Sequence, residues 1–93
     1  MIENKYLNLI SDIQILPVNI PINGLVAFAS LKYADLVLNS IAIYSKKNGS
    51  GYRITYPTKQ AKNHDSNLFY PLNPILSKTI ETSIILKYTQ LFE

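Results

Sequence analysis

Three turn signals divide the first half of the chain into short runs of strand-forming residues. They are the Asn-Gly pairs at positions 23–24 and 48–49 and the Ala-Asp pair at 34–35. Asparagine and glycine accept the positive φ that tight hairpin turns require, so these pairs favour antiparallel connections. The pattern predicts a meander whose strands cover residues 9–17, 25–33, 36–44 and 52–56, the first ending at Pro17.

The remainder of the chain changes from a polar loop to a helical pattern. Residues 59–67 are polar, residues 68–72 form a short fifth extended piece, and Asn73 followed by Pro74 is typical of a helix start. The helix is expected over residues 74–91, with Leu76, Ile80, Ile84, Tyr88 and Leu91 toward the sheet. The sequence thus predicts one α+β domain over residues 1–93, a small antiparallel meander sheet of about five strands with one C-terminal helix.

The helix and the third strand carry more apolar residues than one sheet–helix contact needs. Ile85, Leu86 and Phe92 fall off the helix stripe, and the third strand has apolar residues on both faces. A chain of 93 residues buries only a modest core. We therefore expect a second buried contact, and a homodimer with a two-fold interface supplies it.

The inventory of reactive side chains argues against an enzyme. The chain has no cysteine and one histidine, and its six carboxylates are scattered. Disulfides, cysteine-ligated metals and thiol catalysis are excluded, and we expect no metal, cofactor or small-molecule substrate. His64, in the polar loop, is interpreted as a surface residue in preference to a catalytic base.

The sequence shows no secretion or membrane signal. Its first residues lack a basic segment followed by an apolar run and a cleavage site, and no stretch of about 18 apolar residues occurs. We expect a cytoplasmic protein without membrane contact.

Basic residues cluster in and between two loops. Lys46 and Lys47 lie in the predicted hairpin, Lys59 and Lys62 lie in the polar loop, and Arg53 is on the outward side of the strand between them. Lysine and arginine bind phosphates, and the rings of the flanking tyrosines at 52 and 56 could stack on bases. The alternative is that the lysines only solvate loops and the tyrosines fill the sheet face.

The order of these features resembles the SpoVG family of bacterial septation and regulatory proteins (stage V sporulation protein G). The similar pieces are "AFASLKY", "LVLNSIAIY", "GYRITYPTK" and "LFYPLN", followed by the helix, over residues 27–88. The resemblance implies a small dimeric protein that binds DNA and RNA and regulates genes, with a role in septation during sporulation. It places Lys59 at the family's lysine and Gln60 where the family usually has arginine, and Lys62 could replace the lost charge.

Two functions are compatible with this sequence. The first is a nucleic-acid-binding regulator whose contacts are Lys46, Lys47, Arg53, Lys59, Gln60 and Lys62. The second is a diverged structural or protein-interaction dimer that keeps the fold without binding nucleic acid. A salt titration of binding to DNA and RNA distinguishes them, because only the first predicts an affinity that falls with salt.

Overall fold

A computed structural model describes residues 4–60 and 64–93. The strands are β1 (Ile10–Ile22), β2 (Leu25–Tyr33), β3 (Leu36–Ser45), β4 (Tyr52–Thr55), β5 (Thr58–Gln60) and β6 (Asp65–Asn67); a short 3₁₀ turn (Leu7–Leu9) precedes them and helix α1 (Pro74–Phe92) follows. β1 to β4 form one antiparallel sheet in chain order, and β5 with β6 forms a separate two-stranded ribbon. The predicted α+β class, with a meander sheet and one C-terminal helix, is confirmed.

The connection between β1 and β2 shows why glycine is needed in the predicted turn. Asn23 and Gly24 both have positive φ, 55° and 87°. A Cβ atom at Gly24 would lie 3.1 Å from the carbonyl oxygen of Ser45, so a side chain would also crowd the next turn. The close approach holds the turns after β1 and β3 side by side, as the 2.8 Å hydrogen bond from the Ser45 N–H to the Gly24 carbonyl shows.

The first strand does not end at Pro17. β1 continues to Ile22, and Pro17 lies opposite Ala27 in the ladder. β1 is an edge strand of the sheet, where a missing N–H need not remove a ladder bond. The prediction read Pro17 as the start of a turn region, and it was wrong at this boundary.

The fifth extended piece was placed incorrectly. Residues 68–72 form no strand, whereas β5 and β6 lie within the stretch from residue 58 to 67, most of which was predicted as a loop. A 2.8 Å hydrogen bond from the Leu68 N–H to the Pro57 carbonyl closes the base of this ribbon. Short polar strands carry no alternating apolar pattern, so periodicity could not reveal them.

The core lies between α1 and one face of the sheet. It consists of Ala27, Ala29, Leu31, Ile41, Ile43, Ile80 and Ile84, each 0–2% exposed. Small residues of β2 lie opposite large residues of β3, since Ala27 pairs with Ile43 and Ala29 with Ile41. Small and large side chains thus complement each other under the helix.

The last turn of α1 departs from the predicted stripe. Leu91 is 53% exposed, so its assignment to the core was wrong. Aromatic residues close this end instead: the ring centroids of Tyr52 and Tyr88 are 5.0 Å apart, and those of Tyr88 and Phe92 are 5.3 Å apart. Leu86 and Phe92 remain 55% and 46% exposed, as their off-stripe positions indicate.

Asn73 caps α1 as predicted. Its side-chain oxygen accepts hydrogen bonds from the N–H groups of Ile75 at 2.8 Å and Leu76 at 3.1 Å, and Pro74 occupies the first helical position. Across the described ranges, 4–60 and 64–93, we find no helix whose length and apolar content would allow it to cross a bilayer.

Two β-bulges face each other across β2. Two residues of β1, Asp12 and Ile13, lie opposite one residue of β2, and so do Asn39 and Ser40 of β3. Asp12 and Ser40 have positive φ values of 51° and 64°, which non-glycine residues rarely adopt. Bulges bend strands and redirect side chains, and they occur often beside functional sites.

Candidate nucleic-acid interface

The face of the sheet opposite α1 is open to solvent in the described part of the chain. Residues that alternate with the core positions point to this face, among them Leu16 (70% exposed) and Phe28 (38% exposed). One cross-strand row runs Leu16, Phe28, Ala42, Thr55, and the neighbouring pair on β3 and β4 is Tyr44 with Arg53.

Three of the predicted basic residues meet at one end of this sheet. Lys46, Lys47 and Arg53 line a cleft of about 680 Å³ together with Asn23, Gly24 and Ser45. The cleft forms because the turn after β1 and the hairpin after β3 lie next to each other. A 2.9 Å hydrogen bond from the Lys46 N–H to the Gly51 carbonyl closes the hairpin and holds its lysines at the cleft.

Arg53 is held over an aromatic ring. Its guanidinium carbon lies 4.5 Å from the ring centroid of Tyr44, its cross-strand neighbour. This cation–π contact orients the planar guanidinium group.

The cleft keeps its positive charge uncompensated. The ion pairs among the described residues are Lys32 with Asp12 at 3.7 Å and Lys78 with Glu81 at 3.3 Å, and neither involves a cleft residue. Three cations without a carboxylate partner create a positive potential that attracts anions. Phosphate groups are the ligands that such a cleft suits best.

Two other predicted contacts, Lys59 and Gln60, lie on the ribbon. Lys59 and Gln60 are exposed on β5, opposite Ser66 and Asp65 of β6. The carboxylate of Asp65 offsets part of the positive charge there. Lys62 lies outside the described residues. Lys59 lies six positions after Arg53 in the chain, so these two residues are at most about 22 Å apart.

The tyrosines that flank Arg53 belong to the core. The ring of Tyr52 packs on α1, and the ring centroid of Tyr56 lies 5.8 Å from that of Phe69. The sequence left open whether these tyrosines stack on bases or fill a face of the sheet. In the structure they pack against the core on the face that α1 covers. Burial, followed by the charge of Glu81, raises the pKa of Tyr56 to about 12.

The aromatic side chains on the open face are Phe28 and Tyr44, which the sequence analysis did not consider. The signal was present in the strand alternation, because Phe28 lies between the buried Ala27 and Ala29. Tyr44 could have been found through the hairpin, whose register pairs it with Arg53.

His64 is exposed, consistent with a surface residue. In residues 4–60 and 64–93 no three histidine or acidic side chains are grouped as a metal site would require.

Comparison of the chain with protein-family models finds no match, and comparison with curated proteins finds none either.

Proposed function

We propose that this protein binds nucleic acid through the cleft of Lys46, Lys47 and Arg53. The observation that carries this proposal is the convergence on one cleft, beside an open antiparallel sheet, of three cations that form no ion pair with another described residue. The resemblance to the SpoVG family supports the same conclusion. The protein would then act as a cytoplasmic DNA- or RNA-binding regulator, with septation or sporulation as its setting, and not as an enzyme.

The charge of the cleft sets the expected salt dependence. Each phosphate that a protein neutralises contributes a slope of about −0.9 to log K against log salt for duplex DNA and about −0.7 for single strands. Three cations in the cleft therefore predict a slope of about −2 to −3. Contacts from Lys59 on the ribbon and from Lys62 would steepen it by up to about two further equivalents.

A salt titration of binding tests the proposal. Fluorescence anisotropy of labelled mixed-sequence DNA and RNA is measured from about 50 to 200 mM salt, the range in which phosphate contacts change affinity most visibly. The variant Lys46→Ala/Lys47→Ala should bind more weakly and lose about two phosphate equivalents of slope.

The control variant is Lys5→Ala/Lys87→Ala. It changes net charge equally but alters lysines that do not line the cleft. If the two double variants weaken binding equally, net charge and not the cleft is responsible. A wild-type protein without salt-dependent binding would refute the proposed function.

The ribbon contributes separately in this proposal. Lys59→Ala/Lys62→Ala should reduce affinity without changing the cleft. If affinity and slope stay at the wild-type values, the nucleic acid does not reach the ribbon.

We further propose that the protein is a homodimer that associates through the first half of β3. β4 pairs only with residues 42–45, so residues 36–41 have no strand partner on that side in the described part of the chain. Leu36 and Val37 are 60% and 61% exposed on this free edge. An apolar edge strand that stays uncovered promotes aggregation. Antiparallel pairing of the same segment from two copies is two-fold and closed.

Light scattering tests the dimer. The unmodified protein should have twice the mass of 10.5 kDa at micromolar concentration. The variant Leu36→Lys/Val37→Lys should be monomeric, whereas Leu86→Lys, on the exposed side of α1, should remain dimeric. A folded wild-type monomer would contradict the dimer, and a monomeric Leu86→Lys protein would move the interface to the helix.

The free β3 edge also supports the second candidate function, a structural or protein-interaction dimer without nucleic-acid binding. That function requires a dimer that shows no salt-dependent affinity for DNA or RNA, so the two measurements together distinguish the candidates.

A further inference from the structure

We propose that a single-stranded nucleic acid lies across the open face of the sheet and that one of its bases stacks on Phe28. This inference rests on the proposed function and specifies its ligand. It adds a base-binding groove to the phosphate-binding cleft.

The groove lies between the two β-bulges. It has a volume of about 620 Å³, and its lining includes Gln14, Leu16, Phe28, Ser30, Asn39 and Ser40. The bulges at Asp12 and Ser40 bend β1 and β3 on either side of β2, so Phe28 lies on a concave surface. A flat aromatic group can enter such a surface from solvent.

Phe28 supplies the stacking surface. Its side chain is 38% exposed although its strand neighbours Ala27 and Ala29 are buried, so the ring serves neither the core nor the helix contact. Stacking of bases on an exposed aromatic side chain of an antiparallel sheet is a common way to hold single strands.

Polar side chains surround this ring. Gln14 and Asn39 carry amides, and Ser30 and Ser40 carry hydroxyls, on the rim of the groove. Each of these groups has both donor and acceptor capacity, which is what the hydrogen-bonding edges of bases require. The Gln14 amide also donates to the Asp12 carboxylate at 3.3 Å, whereas a groove that only packed against apolar protein surface would leave the amide of Asn39 without a partner.

The groove and the cationic cleft share no lining residue, and the side chains of Ala42 and Tyr44 lie between them on the same face of the sheet. Phe28 pairs with Ala42, and Tyr44 lies two residues farther along β3 on the same face, about 7 Å away along the strand. The guanidinium group of Arg53 lies over the ring of Tyr44, and Arg53 lines the cleft together with Lys46 and Lys47. A single strand with phosphates in the cleft that continues over Tyr44 therefore reaches Phe28 with one of its following bases.

Duplexes do not suit this arrangement. Their bases are stacked within the helix, and stacking on Phe28 would require a base to be unstacked and extruded at a cost. The groove therefore favours single-stranded DNA or RNA over the duplex of the same sequence.

Four probes and two variants test the inference. The probes are a labelled mixed-sequence 12-mer of DNA, the same sequence in RNA, its duplex, and an abasic 12-mer that keeps the phosphates. Phe28→Leu removes the ring and keeps apolar volume, and Phe28→Tyr keeps the ring.

The Phe28→Leu variant should bind the base-bearing single strands roughly 5- to 150-fold more weakly. Its salt slope and its affinity for the abasic strand should not change, because Phe28 carries no charge. Phe28→Tyr should bind as the wild type does. A merely structural role would change binding of all probes together.

A measurement on the unmodified protein guards against misfolding of a variant. The NMR signals of the Phe28 ring should shift with base-bearing strands and not with the abasic strand. If they shift equally, or if the wild type binds the abasic strand as tightly as the others, the stacking inference is wrong while the cleft remains valid. If no probe binds in a salt-dependent way, the proposed function and this inference both fail. If Phe28→Leu instead converts a dimer into a monomer, a second copy covers the open face, and the inference is wrong.

Discussion

Replacing Asn73 with alanine removes the cap of the only α-helix among the described residues and should destabilise the protein. The side-chain oxygen of Asn73 accepts two hydrogen bonds, from the N–H groups of Ile75 at 2.8 Å and Leu76 at 3.1 Å. Both bonds are exposed, so water can replace part of what the variant loses. Caps of this type contribute about 0.5–2 kcal/mol, and exposure favours a value near 1 kcal/mol here.

The assay is urea denaturation followed by circular dichroism, at one protein concentration for all variants because dimerisation would shift the midpoint. With a slope of about 1–3 kcal/mol/M, a loss of 1 kcal/mol lowers the midpoint by roughly 0.3–1 M at an unchanged slope. The thermal midpoint should fall by about 4–8 °C.

Two further variants isolate the cap. Asn73→Ser retains an oxygen that can accept from the first turn, and it should recover most of the lost stability. Asn8→Ala makes the same chemical change at an exposed position and should leave the midpoint in place. An unchanged midpoint in Asn73→Ala would refute the reasoning, since the helix would then not depend on its cap.

Four other substitutions probe the fold. Ile84 is fully buried between the helix and the sheet, so Ile84→Ala should lower the free energy of unfolding by about 2–5 kcal/mol, measured by the same urea denaturation. A loss below about 1 kcal/mol would place Ile84 outside the core. Gly24→Ala should destabilise more than Gly49→Ala, because only at Gly24 would the new Cβ approach backbone, and equal thermal midpoints would contradict this. The hydroxyl of Tyr56 is buried without a hydrogen-bond partner in the described part of the chain, so Tyr56→Phe should be neutral or stabilising. The pKa of Tyr56 is raised from 10.0 to about 12, so its contribution to wild-type stability is fully present below pH 10 and is lost as the pH rises toward 12. The Tyr56→Phe variant should lack this loss of stability between pH 10 and 12. Identical curves of unfolding free energy against pH for the two proteins would refute the prediction.

The turns and the helix start could be predicted because their causes are local. Gly24 and Gly49 adopt positive φ, and Asn73 bonds to amides two and three residues ahead, so each preference acts within a few residues of its origin. The alternation of the fourth strand predicted for the same reason that Tyr52 and Ile54 share one face and Arg53 lies on the other.

Strand ends and the ribbon depended on neighbours that are distant in the sequence. Pro17 is tolerated in β1 because the strand lies at the edge of the sheet, and edge position is a property of the assembled sheet. β5 and β6 are polar, and what holds them is their pairing and the bond between Leu68 and Pro57. Neither relationship leaves a periodic pattern in the chain.

The candidate site shows the same division. The sequence alone determined that basic residues concentrate in two loops, and that Tyr52 and Arg53 point to opposite faces of one strand. Only the tertiary structure decided that Lys46, Lys47 and Arg53 surround one cleft while Lys59 lies on the ribbon. It also decided that the helix covers the face of Tyr52 and leaves Phe28 open. The alternation of side chains assigns the residues of a strand to two faces. When both faces carry apolar residues, the sequence does not say which face is buried, because burial depends on where the helix packs.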